Sequence, residues 1–142
     1  MVRDSKTHKS YHGKGAKRRS QKGCPLCNNV RNHILEETKN FYVVTNIYPY
    51  QYWDVQGVTG HQMIIPKKHI KSISDLKSKQ RLELIDLIAD YEAKGLNMYS
   101  RGDHNAYKSI PDHLHIHLID LDQKLIKRLA YNSKPYILKA KQ

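Results

Sequence analysis

The stretch that most constrains the fold of this chain is His113-Leu114-His115-Ile116-His117-Leu118-Ile119, where three imidazoles alternate with aliphatic side chains. On a strand, successive side chains point to opposite faces, so His113, His115 and His117 share one face and Leu114, Ile116 and Leu118 the other. The alternation predicts a strand whose aliphatic face packs and whose histidine face is presented. A rise of about 3.3 Å per residue sets neighbouring histidines about 6.6 Å apart, which allows three separate jobs: binding a metal, attacking, and holding a hydrogen bond. A lone histidine is most simply a satisfied core or surface group. Three in strict alternation inside an aliphatic strand point to chemistry, because a neutral imidazole is costly to bury without partners.

A chain of 142 residues suggests one domain with a real core. No apolar run approaches the roughly 18 residues of a membrane span, and the basic N-terminus has no apolar segment of the signal-peptide kind. The expectation is a cytoplasmic chain without a membrane partner. The net charge of +12 is unevenly spread. Residues 1–22 carry eight Lys/Arg against one Asp, residues 123–142 carry six and no acid, and the middle of the chain is close to neutral. The N-terminal segment, with Lys9, Lys14, Lys17, Arg18, Arg19 and Lys22 among glycines and serines, lacks the apolar residues that offset ordering entropy. Residues 1–22 therefore read as a flexible basic tail and residues 23–142 as the domain. Such a tail is either a solvated solubility segment or a salt-sensitive contact for polyphosphates and nucleic acid. No groove-binding motif accompanies the charge, so base-specific reading is not supported.

Along the domain, Cys24-Pro25-Leu26-Cys27 is a Cys-x-x-Cys knuckle, which by itself suits a metal or a redox pair better than a disulfide framework. Two thiolates and two imidazoles make a tetrahedral zinc site, so two of the chain's histidines would complete the set. Residues 34–46 read as a hairpin turning near Thr38 to Asn40. A long loop, Gln51 to Thr59, is expected next, with Gly57 and Gly60 giving it room and with Tyr52 and Trp53 able to stack on a base or cover the core edge. Leu84, Leu87, Ile88 and Tyr91, flanked by Ile85, form one apolar stripe and predict a helix from Ser78 to about Asn97, fraying near Gly95. A late strand is expected near Tyr136 to Leu138.

The triad stretch resembles the signature of the histidine triad superfamily, in which three histidines alternate with apolar residues. Gly60-His61-Gln62-Met63-Ile64-Ile65-Pro66-Lys67-Lys68-His69 is similar to the family's strand ending in Pro-Lys-x-His, and Asn46-Ile47-Tyr48-Pro49-Tyr50 to a segment of the branch that cleaves dinucleoside polyphosphates. The resemblance spans roughly residues 24–119. It implies an α+β fold, a mostly antiparallel sheet with one long helix packed across it and the triad on a central strand, and a homodimer. It implies a nucleotide hydrolase or nucleotidyltransferase in which His115 attacks an α-phosphate and forms a covalent nucleotidyl-histidine. His117 and His61 would orient or assist, Asn46 would meet the ribose and Ile47 the base. The zinc-bearing members and the related galactose-1-phosphate uridylyltransferases imply a structural zinc on Cys24, Cys27, His69 and His113.

The approach to the triad departs from the family pattern. Ser100 stands where relatives have Asn, the glycines after Ala106 are missing and there is no Gln, leaving Ser109 and Lys108 to hold phosphate oxygens. Asp120-Leu121 replaces a Pro-Arg pair, with Lys124, Lys127 or Arg128 as substitutes. Three rival readings stay open: nucleotide binding without turnover, a zinc-stabilised nucleic-acid binder using the basic ends, and an open metal site on the histidine row.

Overall fold

The structure is a computed structural model and describes residues 3–14, 23–106, 108–131 and 136–141. Residues 15–22, the most basic part of the tail with Lys17, Arg18, Arg19 and Lys22, lie outside the described residues. The chain opens with β1 (Arg3–Asp4), α1 (Ser5–His12) and the short α2 (Pro25–Asn29), which runs into a 3-10 turn over Val30–His33. The hairpin expected over residues 34–46 is β2 (Ile34–Glu37) and β3 (Phe41–Thr45), closed at Thr38, whose backbone N–H donates to the Phe41 carbonyl at 3.0 Å. β4 (Tyr52–Trp53), β5 (Gln56–Pro66), α3 (Ser78–Ala93), β6 (Asn97–Tyr99) and β7 (Ile116–Leu125) complete the main body, and β8 (Arg128–Tyr131) and β9 (Tyr136–Lys141) follow.

One antiparallel sheet runs β2-β3-β5-β7-β6, with β4 paired to β5. The fold is therefore α+β, as the resemblance implies. β7 lies inside the sheet but one strand from its edge, between β5 and β6. A second small sheet, β1-β9-β8, joins the two ends of the chain, with Arg3 opposite Tyr136 in a parallel pair.

Alternation along the strands separates two faces. Val43, Ile64, Leu114, Ile116 and Leu118 meet Leu84, Leu87 and Tyr91 of α3 in the main core. At about 1.5–3 kcal/mol for each fully buried large apolar side chain, this layer fixes the register of β7 against β5, where Ile116 faces Ile64 and His117 faces Met63. The opposite face carries Val44 and Ile65, packed with Leu26 and Val30 of the α2 region, and the histidines lie on that side. Gly60 pairs with Asp120 across β5 and β7, where a Cβ would come within 3.2 Å of the Asp120 Cβ.

Three expectations are corrected. The ladder of β7 begins at Ile116, so His113 and His115 precede the strand proper; Leu114 N–H leaves the sheet to donate to the Ile70 carbonyl at 2.7 Å, yet Leu114 still packs in the core with Ile116 and Leu118. The helix ends at Ala93 because Gly95, at φ 87°, closes a Schellman turn: Leu96 N–H donates to the Tyr91 carbonyl and Gly95 N–H to that of Glu92. Asn97 belongs to β6, and Ile85 is 59% exposed, outside the buried stripe. The stretch from Gln51 to Thr59 is no open loop; Asp54 (φ 45°) and Val55 (φ 52°) form the two-residue turn of the β4–β5 hairpin.

Candidate functional site

The sulfur and imidazole donors expected to hold a metal converge. One ligand atom from each of Cys24, Cys27, His69 and His113 lies within 4.8 Å of the others. Cys24 caps the start of α2, where Pro25 occupies the first turn, and this turn carries Cys27 back beside it. His113 Nε2–H donates to the Pro66 carbonyl at 3.0 Å. That bond assigns the proton and leaves Nδ1 as a lone-pair donor, 3.2 Å from Cys24 Sγ and 3.4 Å from Cys27 Sγ. His69 Nδ1 is also 3.4 Å from Cys27 Sγ. A tetrahedral zinc with ordinary bond lengths separates sulfur and nitrogen ligands by about 3.5 Å, so the spacing and the donor chemistry both fit. Partial burial, together with Cys24, pushes the Cys27 thiol up to about 11. A bound cation is what would make both sulfurs thiolates.

Beyond His113, the chain builds a hydrogen-bonded relay. His115 Nδ1–H donates to the carbonyl of His113 at 2.9 Å, which leaves Nε2 as its lone-pair nitrogen. The Ser100 hydroxyl donates to the carbonyl of His115 at 3.2 Å, tying the neighbouring β6 end to the same segment. Tyr50 N–H donates to His61 Nδ1 at 3.0 Å, so the His61 proton must sit on Nε2, which lies 2.9 Å from His117 Nδ1. His117 is thereby the tautomer protonated on Nε2. Burial, with the Arg3 charge adding to it, drives His61 down to about 3. Burial also holds His117 well below, and His115 below, the ordinary imidazole value. All three are neutral at pH 7.

A cavity opens beside this relay, lined by His115 and His117, by Asn46, Ile47 and Tyr48, by Ser109 and Ile110, and by the apolar side chains of Leu26, Val30, Val44, Met63 and Ile65. Asn46 is 9% exposed; its Oδ1 accepts from Tyr48 N–H at 2.9 Å and its Nδ2 lies 3.1 Å from His61 Nε2. Ile47 is 38% exposed. Lys108 is buried and does not line the cavity; its Nζ donates to the Lys71 carbonyl at 3.3 Å, near enough for its charge to act on His115. Lys124 and Lys127 are exposed and away from the cavity, and the Arg128 side chain is not among those described.

Several site residues had no advance signal. Arg3 and Tyr11, from the segment read as a tail, line the cavity. Tyr50 stacks on His61 (4.6 Å between ring centroids) and Trp53 stacks on Tyr50 (5.9 Å), while Tyr99 stacks on His117 (6.0 Å). Trp53, expected to stack on a base or cover the core edge, meets Tyr50 and Tyr99. The charge of Arg101, which lies over Tyr99, also reaches His115 and His117.

No protein-family model and no curated protein matches the sequence. Solved structures do. A HIT family hydrolase from Clostridium thermocellum superposes with a TM-score of 0.53 at 21% identity, covering 72% of this chain and 95% of its own. A hypothetical protein from Leishmania major gives 0.56 at 18% identity, with 79% and 83% covered. A histidine triad nucleotide-binding protein from Candida albicans gives 0.51 at 18% identity, with 79% and 85% covered. At these identities the likeness is one of backbone, and the chain has the histidine triad fold.

Proposed function

We propose that the chain is a histidine triad nucleotide hydrolase or nucleotidyltransferase that cleaves a nucleotide conjugate at its α-phosphate through His115. The observation that carries this reading is the His115 tautomer. With Nδ1–H given to the His113 carbonyl, the lone pair is on Nε2 of a neutral imidazole lining the cavity. His115 Nε2 forms a bond to the α-phosphorus as the bond from phosphorus to the leaving group breaks. Water then attacks the same phosphorus, the phosphorus–nitrogen bond breaks, and the nucleoside monophosphate departs. His117, held with its proton on Nε2 by His61, donates that N–H as a hydrogen bond to the leaving group, which takes any proton it needs from solvent, and the attacking water releases its proton to solvent in turn. Ser109, which lines the cavity, holds phosphate oxygens, whereas Lys108, off the cavity with its Nζ on the Lys71 carbonyl, contributes only its charge near His115. Asn46, whose Oδ1 keeps a second lone pair, takes a ribose hydroxyl, and the base lies against Ile47 and the apolar wall.

Cys24, Cys27, His69 and His113 would hold a structural zinc. With no position left for substrate it would supply anchorage and no reaction step. Because His113 contributes both a ligand nitrogen and the carbonyl that orients His115, the cluster and the nucleophile are fixed by one residue. Nucleotides are the partner this site is built for. A homodimer through the helix and sheet edges belongs to the same proposal, with Leu82 and Ile85 of α3 exposed at 65% and 59%.

The test is intact mass after brief mixing with an adenosine 5′-phosphoramidate or a diadenosine polyphosphate, quenched under conditions that preserve a phosphoramidate. One added nucleotide on His115, absent in His115→Ala, is the expected result. Binding with neither adduct nor product would replace hydrolysis by nucleotide binding alone.

A further inference from the structure

The surplus positive charge of the chain sits at its two ends, and the fold brings those ends together. β1 pairs in parallel with β9, β9 pairs with β8, and α1 packs beside β9. These four elements comprise twenty residues, of which six are Lys or Arg and one is Asp. Two segments of like charge, more than a hundred positions apart, are thus built into one small unit beside a nearly neutral body.

The register concentrates the charge further. Arg128 stands directly opposite Lys141, Leu129 opposite Ala140 and Ala130 opposite Lys139. Opposed residues share a face of a strand pair, as do alternate residues along one strand. The positions of Arg128, Lys139 and Lys141 therefore fall on one face, and those of Leu129 and Ala140 on the other. Cations directly across a ladder are about 5 Å apart and destabilise the pairing, and alternate residues on a strand repeat at about 6.7 Å. Such a row is relieved by an anion that spans several of its positions. On α1, Lys6 and Lys9 are both exposed, at the three-residue spacing of neighbours on one helix surface.

The same elements narrow the class of partner. α1 contains no Leu, Ile, Val, Met, Phe or Trp, so it has no apolar face to enter a bilayer. Protein interfaces are built around apolar cores depleted in lysine, the reverse of this composition. A nucleic-acid backbone needs only repeated cations, since each neutralised phosphate releases counterions. Three more of the twenty residues are tyrosine, and cations with aromatic rings are what sequence-tolerant binders of nucleic acid combine.

We propose that α1 and the β1-β9-β8 sheet form a sequence-independent nucleic-acid-binding surface, assembled by joining the two basic ends of the chain. The surface is independent of nucleotide turnover at His115.

The experiment follows the anisotropy of a labelled single-stranded RNA of mixed sequence, and of a DNA duplex, on addition of the full chain from low to high salt. Arg128→Gln/Lys139→Gln/Lys141→Gln changes the sheet, and Lys6→Gln/Lys9→Gln changes α1, where no ladder can be disturbed. Lys77→Gln/Lys79→Gln/Lys94→Gln removes three exposed cations from the two ends of α3 as a control for net charge. The sheet variant is expected to bind at least about tenfold more weakly near 0.1 M salt, with a log–log salt slope for the single strand shallower by about two. The α1 variant should lose affinity by about threefold or more, the control should stay within about twofold of the native chain, and two unrelated sequences should bind alike. With the Arg128 and Lys141 repulsion removed, the sheet variant should melt no lower than the native chain. Equal losses in all three variants would show that net charge alone governs binding, and unchanged binding in the sheet and α1 variants would assign it to residues 15–22. Either result overturns the proposal, as does failure to bind either nucleic acid at low salt. Equally tight binding to phosphatidylserine vesicles with the same dependence on these cations would replace nucleic acid by a membrane surface.

Discussion

Replacing His61 by Phe tests the relay without assuming any reaction. His61 is 5% exposed, accepts from Tyr50 N–H, and places its Nε2 2.9 Å from His117 Nδ1. Phe fills most of the volume but leaves both partners unpaired in a buried site, at about 1–3 kcal/mol each, so a loss of roughly 2–6 kcal/mol at pH 7 is expected. The pH dependence of that loss is the sharper observable. The folded pKa of His61 is about 3, whereas the unfolded value is about 6.5. The unfolded chain therefore takes up the proton first, and His61's contribution is fully present above about pH 6.5 and falls away as the pH drops toward the folded value. Each unit below the unfolded pKa costs about 1.4 kcal/mol, so the native chain should lose about 2 kcal/mol from His61 between about pH 7 and pH 5. His61→Phe lacks this term and also frees His117 from the lowering that His61 imposes, which shifts the variant's acid loss in the same direction, so the His61 term is a lower bound on the difference. Urea unfolding across this range should show the gap between native chain and variant narrowing by about 2 kcal/mol or more toward acid. A constant gap would refute the neutral, buried imidazole on which the relay depends.

Other perturbations separate the chemistry from the scaffold. His115→Ala should abolish nucleotide turnover with metal content and melting temperature unchanged; residual full activity in a steady-state assay would remove His115 as nucleophile. Cys24→Ser, or chelation of the native chain, should release zinc and lower stability by several kcal/mol, read by metal analysis and unfolding midpoints, far beyond any change in the intrinsic rate of the folded fraction. Gly95→Ala has open space for its Cβ but must adopt φ 87°, so a loss of about 1–2 kcal/mol from backbone strain alone is expected in denaturant titrations. Val55→Gly should act in the opposite sense, gaining up to about 1 kcal/mol, because a β-branched residue there sits at φ 52° in an exposed turn.

What the sequence disclosed follows from how local each signal is. The alternation of Leu114, Ile116 and Leu118 with the histidines names two faces of one extended segment, and the core confirms the aliphatic one. The stripe on α3 likewise needs only period and polarity, although its end depended on the conformation of Gly95. The turn at Asp54 and Val55 was illegible because neither residue advertises positive φ as glycine would. Arg3 was illegible for a different reason. Its importance comes from a contact with Tyr48 and Tyr50 across more than forty positions, made possible by pairing with β9, and a basic segment poor in apolar residues gives no sign of such a partner. The metal cluster lies between these cases: the Cys-x-x-Cys knuckle is local, the resemblance singles out His69 and His113 from nine histidines, and the crossing of three chain segments brings the four together.

One backbone carbonyl connects the two halves of the site. The oxygen of His113 fixes the tautomer of His115, while the same residue's imidazole is oriented by the Pro66 carbonyl so that Nδ1 faces Cys24 and Cys27. Cys24 and Cys27 come from the α2 region and His69 follows β5, so a metal bound there would tie these two segments to His113, two residues before His115. Just past His115 the β7 ladder takes over at Ile116. His115 thus occupies a short span outside the ladder, flanked by the cluster of possible ligands before it and the sheet after it. Such a span can hold an imidazole rigidly while keeping its Nε2 out of the sheet, which a histidine in the middle of a continuous strand between two neighbours would achieve less readily. The departure of His113 and His115 from ladder pairing is therefore part of how the site is built.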